Sequence, residues 1–326
     1  MTAPTIDAAL ASFEQRLLER VSEHRCGDLL REALDYHFGF GAFGPTRVGK
    51  RLRPQLLFRT AFALGATVDA ALDAAVAVEI LHNYSLVHDD IEDRDELRHG
   101  RPTLWSRYGI AQAINAGDAM CAVSFLALTQ SEARLGARGT LVAVRTLHEA
   151  HRAMCDGQAR DIAFESRDAV AFEEYLEMIA GKTAALFGAA CELGALCAGA
   201  EAATAERARG FGREYGMAFQ IRDDMLGVWG NEVETGKRVA GDLARRKWSF
   251  PIVWALAQAE GAARRIVASM YASGRSLGIG EVEAVRDALD ELGARPACEG
   301  AIAQRLNALQ RFGDDDLYRF AADSLR

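Results

Sequence analysis

Proline is scarce in this chain: there are six in 326 residues, and none between Pro102 and Pro251. An interval of that length without the residue that breaks helices, dense in Ala, Leu, Glu and Arg, reads as one helix after another. Strand-type alternation of β-branched residues is nearly absent as well. Even VAVEI at 76–80 fits a helix running on to Asp89 better than a strand. The expected fold class is therefore all-α, with about ten or more helices. The six cysteines (Cys26, Cys121, Cys155, Cys191, Cys197 and Cys298) form no Cys-x-x-Cys pair and sit mostly among Ala and Leu, so they read as reduced core thiols. No basic-then-apolar leader opens the chain, since Glu14 and Glu19 interrupt it early. No stretch reads as a transmembrane segment either. The most apolar one, Thr183–Ala200, is rich in Ala and Gly and broken by Glu192, the pattern of a tightly packed buried helix. A surplus of positive charge is missing too: the net charge of −8 makes the chain a poor nucleic-acid binder and requires any phosphate ligand to be held by local basic clusters. A cytoplasmic protein is expected.

There is no Ser/Pro linker, low-complexity tail or solenoid-length repeat, so residues 1–326 are expected to form a single domain. Breaks fall at the Gly-rich run 38–49, at His99–Pro102 and at Gly230–Gly241.

Two acidic pairs are present. In VHDDIEDRDELRHGRP, Asp89 and Asp93 stand one helical turn apart on a face they share with His82 and Leu86. Uncompensated, the two carboxylates repel, so a cation between them is the natural partner, and an oxygen-only donor set favours magnesium over zinc. In EYGMAFQIRDDMLGVWG, Asp223 and Asp224 again close an apolar helix, with Phe219 and Gln220 on the same side. The one-turn partner of Asp223 is Gly227 rather than an acid. Basic groups occur at GKRLRP (49–54), where a Gly-rich loop opens a helix at Pro54, at Arg98 and Arg101, at Lys182, at Lys237 and at Arg245-Arg246-Lys247. Acids that collect magnesium and cations that collect phosphate make a coherent site for a diphosphate.

The ordered set GKRLRP, HNYSLVHDDIED (82–93), LRHGRPT (97–103), GKT (181–183), FQIRDD (219–224) and TGK (235–237) resembles the trans-isoprenyl diphosphate synthases, most of all the geranylgeranyl diphosphate synthases. The resemblance implies the isoprenoid synthase fold, a homodimer, and magnesium-dependent condensation of isopentenyl diphosphate with an allylic diphosphate. It assigns a cluster of three magnesium ions to Asp89, Asp93 and Asp223, with Asp90 and Asp224 in support. Arg98, Lys182, Lys237 and Lys247 are assigned to the allylic diphosphate, and Gly49, Lys50, Arg53 and His82 to isopentenyl diphosphate. Thr183 and Gln220 are candidate dipoles facing an allylic cation. Tyr84 and Ser85, five and four residues before Asp89, match the positions that set product length.

Three positions depart from the family. His99 stands where a second arginine is usual, with Arg101 as a possible substitute; Gly227 replaces the last acid of the second motif; Trp105 stands where histidine is common. Other readings are a farnesyl or longer-chain synthase, and a class I terpene cyclase, whose second metal motif fails here at Gly227 and Asn231. A non-catalytic subunit is disfavoured by the retained acids. A di-iron carboxylate bundle, built on Glu79-x-x-His82 and Glu96-x-x-His99, leaves the basic clusters without a purpose.

Overall fold

The computed structural model describes residues 5–23, 26–44, 49–230, 241–258, 260–272, 274–312 and 315–326. Helices dominate these residues, and the only strands among them are the two-residue arms of one hairpin, Leu97–Arg98 paired with Arg101–Pro102. The chain divides into two compact units, residues 1–149 with 186–212, and residues 150–185 with 213–326.

The first unit is built on α1 (Ile6–Glu23), α2 (Asp28–Phe38), α3 (Leu52–Ala63), α4 (Val68–Glu92), α5 (Leu104–Tyr108), α6 (Ile110–Thr129) and the first half of α7 (Glu132–Phe164). Its centre is α4, which includes VAVEI. Every residue from Ala74 to Leu81 is at most 5% exposed, two full turns buried on all sides. Alanines at 71, 74, 75 and 77 let neighbours approach closely, and Ser124 on α6 donates to Ala77 O at 2.8 Å. Truncating Ile80 to Ala in such packing costs about 2–5 kcal/mol. Thr67 caps α4 by accepting from Ala70 N. The helix ends at Glu92, and the chain turns into the hairpin through His99 and Gly100, both at positive φ. Helix α3 starts at Leu52, two residues earlier than the sequence implies, and Pro54 sits in its first turn, where its missing N–H costs nothing.

The second unit holds the rest of α7, α8 (Phe172–Ile179), a π-helical turn at Ala180–Ala184, the first residue of α9 (Ala185–Cys197) and the C-terminal part of α10 (Ala202–Trp229). It continues through α11 (Gly241–Ala244), α12 (Phe250–Gln258), α13 (Ala262–Tyr271), α14 (Ile279–Glu291), α15 (Ala294–Leu309) and α16 (Asp315–Ser324). Trp248, Tyr175, Tyr215 and Tyr271 are its largest fully buried side chains. The π turn lies hard against α7. A β-carbon at Gly157 would stand 2.2 Å from Lys182 N, and one at Gly181 would stand 2.6 Å from Ala153 O, so two glycines bring the backbones together. One extra residue per turn at 180–184 re-aims the side chains that follow α8.

By length and composition α4, α6 and the rod 172–197 are apolar enough to cross a membrane, a property the sequence reading assigned to no segment. In α4 and in 172–197 the most apolar window is 72% and 67% buried within the protein, so alanine-rich packing accounts for the composition. In α6 only 39% of that window is buried, and Ile110, Ile114 and Leu126 are exposed. Cys191, Cys197 and Cys298 are buried thiols, whereas Cys155 is exposed rather than in the core.

Candidate active site

In the first unit, α4 ends in the acidic motif. Asp89 and Asp93 lie one turn apart, Asp89 half-buried and Asp93 exposed as the C-cap residue, its N–H bonded to Asp89 O at 2.8 Å. Asp90 turns the other way into the protein. It is 4% exposed and accepts from Arg98, with Nη2 at 2.7 Å and Nε at 2.8 Å. Burial raises the Asp90 carboxyl above its usual range while Arg98 opposes the shift. The hairpin thus returns Arg98 to the helix end it has just left. His99 sits at the hairpin turn, exposed, with φ 51°.

Behind the motif arginines and imidazoles act on one another. His82 is pushed well below the usual imidazole range by burial and by Arg53, Arg98 and Arg51, so it is neutral at pH 7. His37, on α2, bonds Asn83 Oδ1 at 2.9 Å and is pushed down to about 4 by burial, with Arg98, Arg101 and Arg51 acting in the same sense. The Arg53 guanidinium lies 4.2 Å from the Phe187 ring centre, and Arg101 lies 4.5 Å from that of Tyr36. Gly49 and Lys50 are exposed, and Gln55 Nε2 donates to Lys50 O at 2.8 Å. Arg51 is committed to structure: at φ 50° it pairs with Glu79 at 2.7 Å and Glu14 at 2.8 Å. Trp105 donates to Asp95 O at 2.9 Å, and so anchors the loop after the motif. The Tyr84 ring centre is 4.7 Å from that of His88, and Ser85 donates to His82 O within its own helix.

The second unit carries a connected polar cluster. Lys182 Nζ is 2.5 Å from Asp161 Oδ2. Burial alone would raise the Asp161 carboxyl, but Lys182 and Lys247 hold it low. Burial acts to lower the Lys247 ammonium, but Asp242, Asp161, Asp224 and Asp223 together raise it above the usual lysine range. Asp223 is exposed, whereas Asp224 is 2% exposed and pushed up to about 6 by burial, against Lys247 and three hydrogen-bond donors. Those donors are Tyr175 Oη at 2.5 Å, Phe250 N at 2.8 Å and Gln220 Nε2 at 2.9 Å. Thr183 Oγ1 donates to Gln220 Oε1 at 2.6 Å, so the two expected cation-facing dipoles bond each other instead of pointing independently into a site. Lys237 lies outside the described residues.

Several expected residues come together within their own unit: Asp89, Asp90, Asp93, Arg98, His82 and Arg53 in the first, and Lys182, Thr183, Gln220, Asp223, Asp224 and Lys247 in the second. His37, Asp161, Tyr175 and Asp242 escaped the sequence reading. None of the four carries a local signal, because each meets its partner across elements. Among the described residues no three His, Cys, Asp or Glu side chains come close enough to hold a metal by themselves. A pair of hard oxygen donors such as Asp89 and Asp93 suits a magnesium ion whose remaining ligands are water and phosphate oxygens.

The polyprenyl synthetase family profile matches residues 30–290. A farnesyl diphosphate synthase of Mycobacterium tuberculosis is 43% identical over 259 residues, 78% of this chain and 69% of that protein. A geranylgeranyl diphosphate synthase of the same species is 37% identical over 93% of this chain and 91% of its own length. Among solved structures, a polyprenyl synthetase from Streptomyces coelicolor superposes with a TM-score of 0.88 at 34% identity, covering 98% of both chains. A Caulobacter crescentus polyprenyl synthase, solved with calcium and isoprenyl diphosphate, gives 0.83 at 26% identity, covering 100% of this chain and 97% of its own. The helical architecture is thus the isoprenoid synthase fold, and the chain is a prenyltransferase that belongs to the polyprenyl synthetase family.

Proposed function

We propose that this enzyme condenses isopentenyl diphosphate with an allylic diphosphate (dimethylallyl, geranyl or farnesyl), in a magnesium-dependent reaction whose principal product is geranylgeranyl diphosphate. The observation that carries this reading is the order at the end of α4: Asp89 and Asp93 stacked outward, Asp90 turned inward to fix Arg98, and neutral His82 among arginines just behind. Asp89, Asp93 and Asp223 are the proposed magnesium ligands, and magnesium bound there would neutralise charge on the departing diphosphate. The chain's own cations do the same from fixed positions: Arg98 is held by Asp90 and Lys182 by Asp161, which limits reorganisation as the C–O bond breaks. Arg53, Lys50 and the neutral imidazoles of His82 and His37 are proposed to seat isopentenyl diphosphate. Neutral imidazoles add hydrogen bonding without adding to the repulsion among the arginines. Among the described residues no side chain stands out as a base, and the departing diphosphate is the proposed proton acceptor.

The two units are proposed to make up one catalytic domain, since the family match runs through both. The chain is proposed to work in the cytoplasm as a homodimer. The exposed apolar residues of α6 support pairing, which light scattering after gel filtration would measure.

A farnesyl product is the second reading, favoured by the 43% identical relative. The deciding experiment supplies the purified chain with magnesium, labelled isopentenyl diphosphate and each allylic primer, and sizes the products after phosphatase treatment. A ladder ending at twenty carbons supports the first reading and one ending at fifteen the second. Diphosphate release without incorporation would overturn both in favour of cyclisation. Asp89→Asn and Asp223→Asn should each lower turnover by at least about a hundredfold with helix content unchanged.

A further inference from the structure

Four side chains of the second unit form a relay whose direction is forced. The carboxyl group of Asp224 accepts at both oxygens, Oδ2 from the Phe250 N–H and the Tyr175 phenol and Oδ1 from Gln220. Gln220 must therefore turn its NH2 toward Asp224 Oδ1, at 2.9 Å, and its carbonyl oxygen toward Thr183. An amide oxygen also only accepts, so the Thr183 hydroxyl must donate across the 2.6 Å contact. Its single hydrogen is then spent, and only oxygen lone pairs remain to meet anything else. Were the amide turned round, Gln220 would donate to Thr183 and free the hydroxyl hydrogen to point elsewhere.

The far end of the relay holds this order in place. Asp224 Oδ2 accepts from the Phe250 N–H at 2.8 Å and from the Tyr175 phenol at 2.5 Å. Tyr175 is fully buried, its ring edge-on to Phe250 at 6.1 Å, so the phenol has no solvent alternative. Burial and Asp224 raise its pKa well above the usual tyrosine range, which keeps the proton on the phenol as a donor. Chained bonds of this kind in a dry interior polarise one another and lock rotors that would otherwise be free.

We infer that Tyr175 is a positioning residue for ionisation of the allylic substrate: acting through Asp224 and Gln220, it fixes the Thr183 hydroxyl so that it presents oxygen lone pairs, not hydrogen, to the allylic cation. The inference rests on the proposed reading that Thr183 faces that cation. No proton moves along the relay. The allylic C–O bond breaks, its electron pair leaves with the diphosphate, and the carbon left positive meets a dipole already turned negative end inward.

The test is a double-mutant cycle on the full-length enzyme, with the allylic and isopentenyl diphosphates as substrates. Tyr175→Phe keeps the ring and deletes the donor. Thr183→Val keeps the shape and deletes the hydroxyl. Tyr175→Phe is expected to lower kcat about tenfold with both KM values within twofold of wild type. In the Thr183→Val background the same substitution should change kcat less than twofold, because nothing remains to be oriented. Equal losses in the two backgrounds, or a wild-type kcat in Tyr175→Phe, would overturn the inference. Thermal melting confirms folding of each variant. Should Tyr175→Phe not fold, Gln220→Met cuts the relay in the middle and must show the same dependence on Thr183. A wild-type enzyme that incorporates no isopentenyl units would sink the functional reading. An active wild type with an additive cycle would sink the relay alone.

Discussion

Asp242 fills the space that a side chain at position 227 would take: a β-carbon at Gly227 would stand 2.4 Å from Asp242 Oδ2 and 3.2 Å from its Cγ. The second acidic motif lacks its last acid in sequence, yet a carboxylate is there in space, carried in from α11 and facing the Lys247 ammonium.

Restoring an acid at position 227 should therefore harm this enzyme. Gly227→Asp sets a second carboxylate against Asp242 and forces one of them aside or into its protonated form. Turnover is expected to fall about tenfold or more, and Asp242→Gly in that background should recover part of the loss. Gly227→Ala separates charge from space. It gains about 1 kcal/mol of helix propensity, so the melting temperature should not drop, while displacement of Asp242 still lowers turnover. Wild-type kinetics in Gly227→Asp would show that Asp242 has no such role.

The Arg98–Asp90 bridge predicts an order of stabilities. The Asp90 side chain is 5% exposed and that of Arg98 26%. Arg98→Met strands a buried carboxylate and should cost about 2 kcal/mol, discounted from the value for a fully buried pair because Arg98 is partly wet. Asp90→Asn leaves a neutral acceptor and an arginine able to reach water, and should cost about half as much. Both variants should raise KM for the allylic diphosphate. Denaturant midpoints in the reverse order would refute the burial argument.

These relationships mark where the sequence stops being legible. The helices were readable because proline spacing and apolar runs are local signals, and the face shared by Asp89 and Asp93 because they stand one turn apart. Asp242 at Gly227, Asp161 at Lys182 and His37 at Asn83 are pairings across elements, and no local pattern encodes them. The inward turn of Asp90 and Asp224 was hidden for a related reason: adjacent acids look alike in sequence, and only burial separates Asp90, which holds Arg98, and Asp224, which gathers Tyr175, Gln220 and the Phe250 N–H, from Asp89 and Asp223. Thr183 and Gln220 were singled out individually, but their mutual bond depends on a π turn pressed against Gly157, which helical spacing does not foresee.

Tyr84 supplies a prediction on product size. Its half-buried ring leans on His88 at 4.7 Å, one turn nearer the acidic motif, and the His88 ring in turn lies against α6 where a β-carbon at Gly117 would meet its Nε2 at 2.4 Å. Five residues above Asp89 is roughly 7.5 Å of helix, too short to measure twenty carbons alone. Tyr84→Ala should lengthen the main product by at least one five-carbon unit, with turnover on short primers within about threefold of wild type. Chromatography of the dephosphorylated alcohols reads the shift. An unchanged ladder would place the chain-length floor on other residues.

His37 makes stability depend on pH with a definite sign. In the folded protein its pKa is pushed down to about 4, while the unfolded chain keeps the ordinary value near 6.5. Between these values the unfolded state binds a proton that the folded state refuses, so the stability present above pH 6.5 is lost as pH falls toward 4. The full span is worth up to about 3 kcal/mol, and His82, lowered in the same direction, adds to it. His37→Gln keeps a donor for Asn83 but does not titrate. Its denaturation midpoint should therefore fall less steeply than that of wild type between pH 6.5 and 4, and the two profiles should run parallel above pH 7. Parallel profiles throughout would mean that the His37 ring takes up its proton in the folded state as readily as in the unfolded one, and that neither burial nor the arginines around it hold it neutral.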